Sequence, residues 1–78
     1  MMKIKVSFAR ILKIEGVENG SSVELEEGMS IKEFLSQHKM PREHQQFLVP
    51  IVNKKTTKLS YILQDLDELE LYLPVGGG

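Results

Sequence analysis

The most constraining feature of this sequence is one helix-start signal set between stretches that read as strands. Ser30-Ile31-Lys32-Glu33 has the spacing of a capping box, in which the serine hydroxyl and the glutamate carboxylate satisfy each other's unpaired backbone N–H groups. Ile31, Phe34, Leu35 and His38 then share one helical face, and Pro41 opposes continuation past Met40. Upstream, Ile4, Val6 and Phe8 alternate with Lys3, Lys5 and Ser7, the period-two pattern of a half-buried strand. Arg10 interrupts that row, and Leu12 and Ile14 resume it, so the strand either continues or bends near Ala9. The turn formers of Glu15–Ser21 lead to Val23 and Leu25, completing a hairpin whose apolar face the helix should cover.

After the helix, Arg42–Gln46 is polar and carries no pattern. Phe47–Val52 reads as a third strand, and Pro50, having no N–H, places it at an edge or starts it after the proline. Asn53–Thr56 reads as a turn, Thr57–Leu59 as a short extended piece, and Tyr61-Ile62-Leu63 as a compact segment. Asp65-Leu66-Asp67 turns the chain into a last strand, with Leu69, Leu71 and Leu73 on one face and Glu68, Glu70 and Tyr72 on the other. A helix between a leading hairpin and later strands gives an α+β roll of the ubiquitin-like β-grasp type, a mixed sheet packed on one helix with the last strand beside the first.

With 78 residues, one small domain is expected, able to bury about 60% of its unfolded surface and too small for a deep catalytic cleft. A net charge of −1 supplies no field for nucleic acid or an anionic membrane, and the absence of cysteine removes thiolate metal sites. The alternating charge of Met2–Val6 is unlike a signal peptide, no stretch reaches the length of a membrane span, and a cytoplasmic protein is expected.

The last strand runs into Pro74-Val75-Gly76-Gly77-Gly78. We divide the chain into a β-grasp domain, residues 1–74, and a flexible glycine tail, residues 75–78. Four extended residues reach about 13 Å, and glycines pass through a channel too narrow for side chains. A glycine end can also be an unpatterned spacer; here the glycines follow an apolar strand directly, with no serine or charged residue among them. A C-terminal carboxylate is ionised at neutral pH and can attack the α-phosphate of ATP, but it becomes an electrophile only after adenylation by another protein.

The sequence resembles the MoaD/ThiS family of ubiquitin-like sulfur carriers in three places: Ile4–Arg10, Val52-Asn53 together with Leu63–Leu69, and Pro74–Gly78. The resemblance implies that Gly78 is adenylated by a ubiquitin-activating-type enzyme and converted to a thiocarboxylate, with Gly77 and Gly76 threading the tail. It further implies that the sulfur passes to a synthase subunit, that the carrier is not itself an enzyme, and that ATP is used by the separate activating enzyme while the carrier holds no cofactor. The length, the opening segment and Pro74-Val75 are most like the small subunit of molybdopterin synthase. The ending also occurs in thiazole-forming ThiS proteins, and a modifier conjugated to lysines through the same adenylate is a further alternative. Lys54 and Leu66 stand where the family often has glycine, which predicts altered turn geometry there.

The remaining candidates have plainer readings. His38 and His44 have no usual zinc spacing; His38 belongs at the edge of the packed helix face and His44 in solvent. Ser30 is explained by its cap. Asp65, Asp67, Glu68 and Glu70 are either a solvated turn and outer strand face or a contact for a basic partner surface, and Lys54, Lys55 and Lys58 read as a solvated turn. Tyr72, on the outward face just before the tail, is either a partner contact with Val75 or packing across the sheet.

Overall fold

A computed structural model describes residues 1–74; the expectations placed on Val75, Gly76, Gly77 and Gly78, including tail flexibility, lie outside the described residues. Strands β1 (Met2–Phe8), β2 (Ser21–Leu25), β3 (Val49–Val52), β4 (Lys55–Thr56) and β5 (Glu68–Tyr72) form a mixed sheet in the order β2-β1-β5-β3-β4. β1 pairs antiparallel with β2 and parallel with β5, so the last strand lies beside the first, as expected. One face is the core: Ile4 and Val6 of β1 and Leu69 and Leu71 of β5 are buried against Ile31, Phe34 and Leu35 of helix α1 (Ile31–Gln37).

The capping box forms. Ser30 Oγ accepts from the Glu33 N–H at 3.1 Å, and Glu33 Oε1 accepts from the Ser30 N–H at 3.1 Å. The next two orphan donors, the Ile31 and Lys32 N–H groups, reach the carbonyls of Tyr61 and Leu59, so the compact segment after β4 seals the start of the helix. At its other end Lys39 takes a left-handed φ of 64°, and the Met40 N–H bonds the Leu35 carbonyl while the Lys39 N–H bonds that of Ser36. This Schellman closure ends the helix before Pro41 acts. Pro41 instead caps a second helix, α2 (Arg42–Gln45), which corrects the expectation of one helix over a patternless Arg42–Gln46. A single turn is too short for helical periodicity to show. Its apolar-side residue is Gln45, buried because its amide donates to the Met40 carbonyl at 2.8 Å and to Ser36 Oγ at 3.1 Å.

The chain bends after Phe8 rather than continuing as a strand. Leu12 N–H bonds the Ala9 carbonyl, Ile14 bridges Val17 through a turn at Gly16 (φ 81°), and Leu12, Ile14 and Val17 pack back on the core. The Asn19 side chain closes the excursion by accepting from the Phe8 N–H at 2.9 Å and donating to the Phe8 carbonyl at 2.7 Å, taking the place of a strand partner.

The third strand begins at Val49, and it is not an edge. Pro50 is tolerated because its carbonyl faces β4, accepting from the Thr57 N–H at 2.9 Å. The missing N–H faces that same side, past the end of a two-residue strand, and leaves the ladder to β5 intact. The expected turn over Asn53–Thr56 shrinks to Asn53-Lys54, and the short strand is Lys55–Thr56 rather than Thr57–Leu59. A two-residue hairpin loop of the type I′ class has positive φ at both positions, and Asn53 (51°) and Lys54 (70°) both adopt it. Leu66 does the same at 69°. The turns thus keep the left-handed geometry despite their Cβ atoms, against expectation, because the flanking hydrogen bonds fix the backbone.

Candidate functional site

The site proposed from sequence begins where β5 ends, and the sheet makes its base rigid. β5 is paired on both edges, with β1 through Phe8–Leu71 and with β3 through Val49–Tyr72. Leu69 and Leu71 are buried, Leu73 is half-buried, and Pro74 is exposed. The last backbone bond on the β1 side is from the Ala9 N–H to the Leu71 carbonyl. The described end of β5 is therefore fixed by pairing on both of its edges.

Tyr72 lies on the outer sheet face and is 41% exposed. Its hydroxyl donates to Glu70 Oε2 at 2.7 Å, and Glu70 Oε1 lies 3.5 Å from Lys54 Nζ. The bond from Tyr72, reinforced by the Lys54 charge against partial desolvation, holds the Glu70 carboxyl below its usual range, while the same bond and the Glu70 charge raise the Tyr72 hydroxyl. Tyr72 is thus tied within its own sheet face while its ring remains reachable. Val75 and the three glycines lie beyond the described residues.

Asp67, expected in a solvated acidic turn, is instead buried, with 5% of its surface exposed. Oδ2 accepts from the Tyr61 hydroxyl at 2.9 Å and the Gln64 N–H at 2.8 Å, and Oδ1 from the Asn53 amide at 2.8 Å. Asn53 in turn clamps Glu68, accepting its N–H at 3.0 Å while donating its own N–H to the Glu68 carbonyl at 3.0 Å. Asp65 accepts the Lys3 N–H at 2.9 Å. Burial and the bond to Asp67 raise the Tyr61 hydroxyl. The resemblance segment Leu63–Leu69 is therefore structural: it fixes the start of β5. Of the acidic group, Glu68 and Asp65 are exposed, whereas Glu70 is only partly so.

His38 sits at the helix edge, as expected: its ring meets Phe34 edge-on at 4.9 Å, and its Nδ1–H donates to the Glu15 carbonyl at 2.8 Å. His44 is exposed. Among the described residues no three His, Cys, Asp or Glu side chains gather as metal ligands, and no helix is long and apolar enough to cross a membrane. Sequence reasoning gave Ile11 no role and placed Phe47 in the third strand; Phe47 instead lies in the turn after α2, and it and Ile11 stand exposed beside Leu73, brought together only by the fold.

Two solved structures resemble this one over nearly their whole length. One is a putative molybdopterin converting factor, subunit 1, from Pyrococcus furiosus, with a TM-score of 0.69, 23% identity, and 96% of this chain and 100% of that chain covered. The other is SAMP1 from Haloferax volcanii, with a TM-score of 0.67, 16% identity, and coverage of 97% and 99%. The five-stranded mixed sheet with its two helices is accordingly a ubiquitin-like β-grasp. The sequence model of the ThiS family matches residues 8–78, and the chain belongs to that family of ubiquitin-like sulfur carriers. No curated protein sequence matches it.

Proposed function

We propose that this protein is a cytoplasmic sulfur carrier for molybdopterin biosynthesis, acting through the carboxylate of Gly78. The observation that carries the reading is the rigid, doubly paired β5 running directly into Pro74 and the glycines, supported by membership of the ThiS family and by similarity to the molybdopterin converting factor subunit. A Gly78 carboxylate oxygen attacks the α-phosphate of ATP on a separate activating enzyme, forming the acyl adenylate and releasing pyrophosphate. A hydrosulfide-class donor then adds to the activated carbonyl, AMP leaves, and a thiocarboxylate remains. That sulfur passes to a precursor in a synthase subunit. The carrier binds no cofactor and contributes position rather than catalytic side chains; Gly76 and Gly77 let the backbone pass where a Cβ would clash.

Incubation with the activating enzyme, ATP and a sulfur donor, followed by intact mass measurement, tests this: the mass should rise by the exchange of one oxygen for sulfur. An unchanged mass, with a known carrier converting in parallel, refutes it. The ThiS name of the matched family favours a second reading, sulfur delivery to thiamine thiazole synthesis. Transfer to a molybdopterin precursor but not to a thiazole precursor separates them. Reductant-resistant adducts on lysines of other proteins, without free thiocarboxylate, identify a protein modifier instead.

A further inference from the structure

Beside the base of the tail lies a groove of about 300 Å³ between the turn after β1, the end of α2 and the end of β5. Its lining carries two large apolar side chains in water, Ile11 at 79% and Phe47 at 65% exposure, together with Leu73 and Met40. It is on the helix side of the sheet, away from Tyr72, and opens into a larger hollow that shares Leu12, Lys13, Met40 and His44 with it. The cations Arg10 and Lys13 line this surface, and among the described residues neither has a carboxylate within 4.0 Å. Among the described residues the one carboxylate of the hollow, Glu15, is 3.7 Å from Lys39 Nζ.

We infer that this groove is the seat of an acidic, apolar-tipped segment of the protein that adenylates the tail. The inference rests on the carrier reading. Four residues beyond Pro74 reach about 13 Å, so a protein that takes the last carboxylate into its active site must lay its surface against the base of the tail. Leu73, one residue before Pro74, is part of the groove, which therefore falls under that footprint. The adenylating protein is the one for which docking outside the tail matters most. It receives a carboxylate onto a nucleotide triphosphate, two anions that repel one another, so attraction must come from surface beyond the reacting groups. An exposed aliphatic and aromatic pair beside unpaired cations offers it to a segment with an apolar tip and flanking carboxylates.

Steady-state adenylation with the activating enzyme of the same organism tests this, with KM for the carrier and kcat read separately. Phe47→Ala and Ile11→Ala should each raise KM about tenfold with kcat preserved, the pattern of lost uniform binding at a central contact. Lys13→Glu should raise KM comparably and flatten its salt dependence. Ile62→Ala, exposed elsewhere on the surface, should change neither value, and thermal melts should show every variant folded. Unchanged KM in all three groove variants, with the wild type efficiently adenylated, overturns the groove and leaves the carrier reading standing. A lowered KM means that the groove holds the protein's own tail, and an unaltered salt dependence in Lys13→Glu excludes an acidic occupant; either overturns the proposal. If the wild type forms no adenylate at all, both readings fall.

Discussion

The two ends of β5 are built in opposite ways. At its start, Asp67 draws hydrogen bonds from Asn53, Tyr61 and Gln64, Asn53 pairs both the N–H and the carbonyl of Glu68, and the Leu66 N–H reaches the Lys3 carbonyl at 2.7 Å. At its finish, the described polar side-chain contacts are exposed or partly exposed ones, Tyr72 to Glu70 and Glu70 to Lys54, and the chain passes through half-buried Leu73 to exposed Pro74. One end is held by buried polar bonds, the other, as far as Pro74, by the sheet ladder and exposed contacts. That asymmetry suits the carrier proposed above, which would present its tail from a defined point.

The contrast predicts that chemistry and stability separate along one strand. Deleting Gly76, Gly77 and Gly78, which leaves the terminal carboxylate about 10 Å short and on a residue with a Cβ, should abolish thiocarboxylate formation in the intact-mass assay while leaving the melting temperature unchanged; a lowered melting temperature would place the tail in the fold and erase the contrast. Phe34, fully buried in the core, should cost about 3–5 kcal/mol on truncation to alanine in denaturant unfolding. Asp67→Ala should cost about 3 kcal/mol, because three donors lose their acceptor in a buried place, whereas Glu70→Ala should stay within about 1 kcal/mol. Equal losses at the two positions would remove the distinction between the ends. Leu66→Gly is expected to stabilise by up to about 1 kcal/mol, since an exposed leucine at φ 69° gives up left-handed strain.

The smallest effects concern pH, and the signs differ between Tyr61 and Glu70. Tyr61 has a folded pKa above its ordinary 10.0, so its contribution is complete below pH 10 and is lost as pH rises through the raised value. Glu70 is depressed from 4.5, so its contribution is present above that pH and lost as pH falls through the lowered value. Melting temperatures should therefore fall on the alkaline side, with Tyr61→Phe flattening that limb. On the acid side Glu70→Gln should change the curve only slightly, its site being partly open to water.

Much of the architecture is legible in the sequence because it rests on local rules. The capping box, the stripe Ile31-Phe34-Leu35, and the alternation of Ile4 and Val6 or Leu69 and Leu71 each specify an element and its buried face within a few residues. The glycine ending was likewise visible, although its residues lie outside those described. What the sequence could not display is any property that depends on a partner far along the chain. Asp67 looked like a surface turn because its three donors come from positions 53, 61 and 64, and burial reversed its meaning. Pro50 looked like an edge residue because its missing donor points past a strand only two residues long. Lys54 and Leu66 looked incompatible with left-handed turns, yet long-range bonds hold them there against a modest local cost. Ile11 and Phe47 have no common pattern, and only the folding of the turn after β1 against α2 and β5 places them on one groove. Local periodicity and capping determined which elements form; the closure of distant residues on one another decided which polar groups are buried, which backbone is strained, and which apolar side chains gather beside the tail.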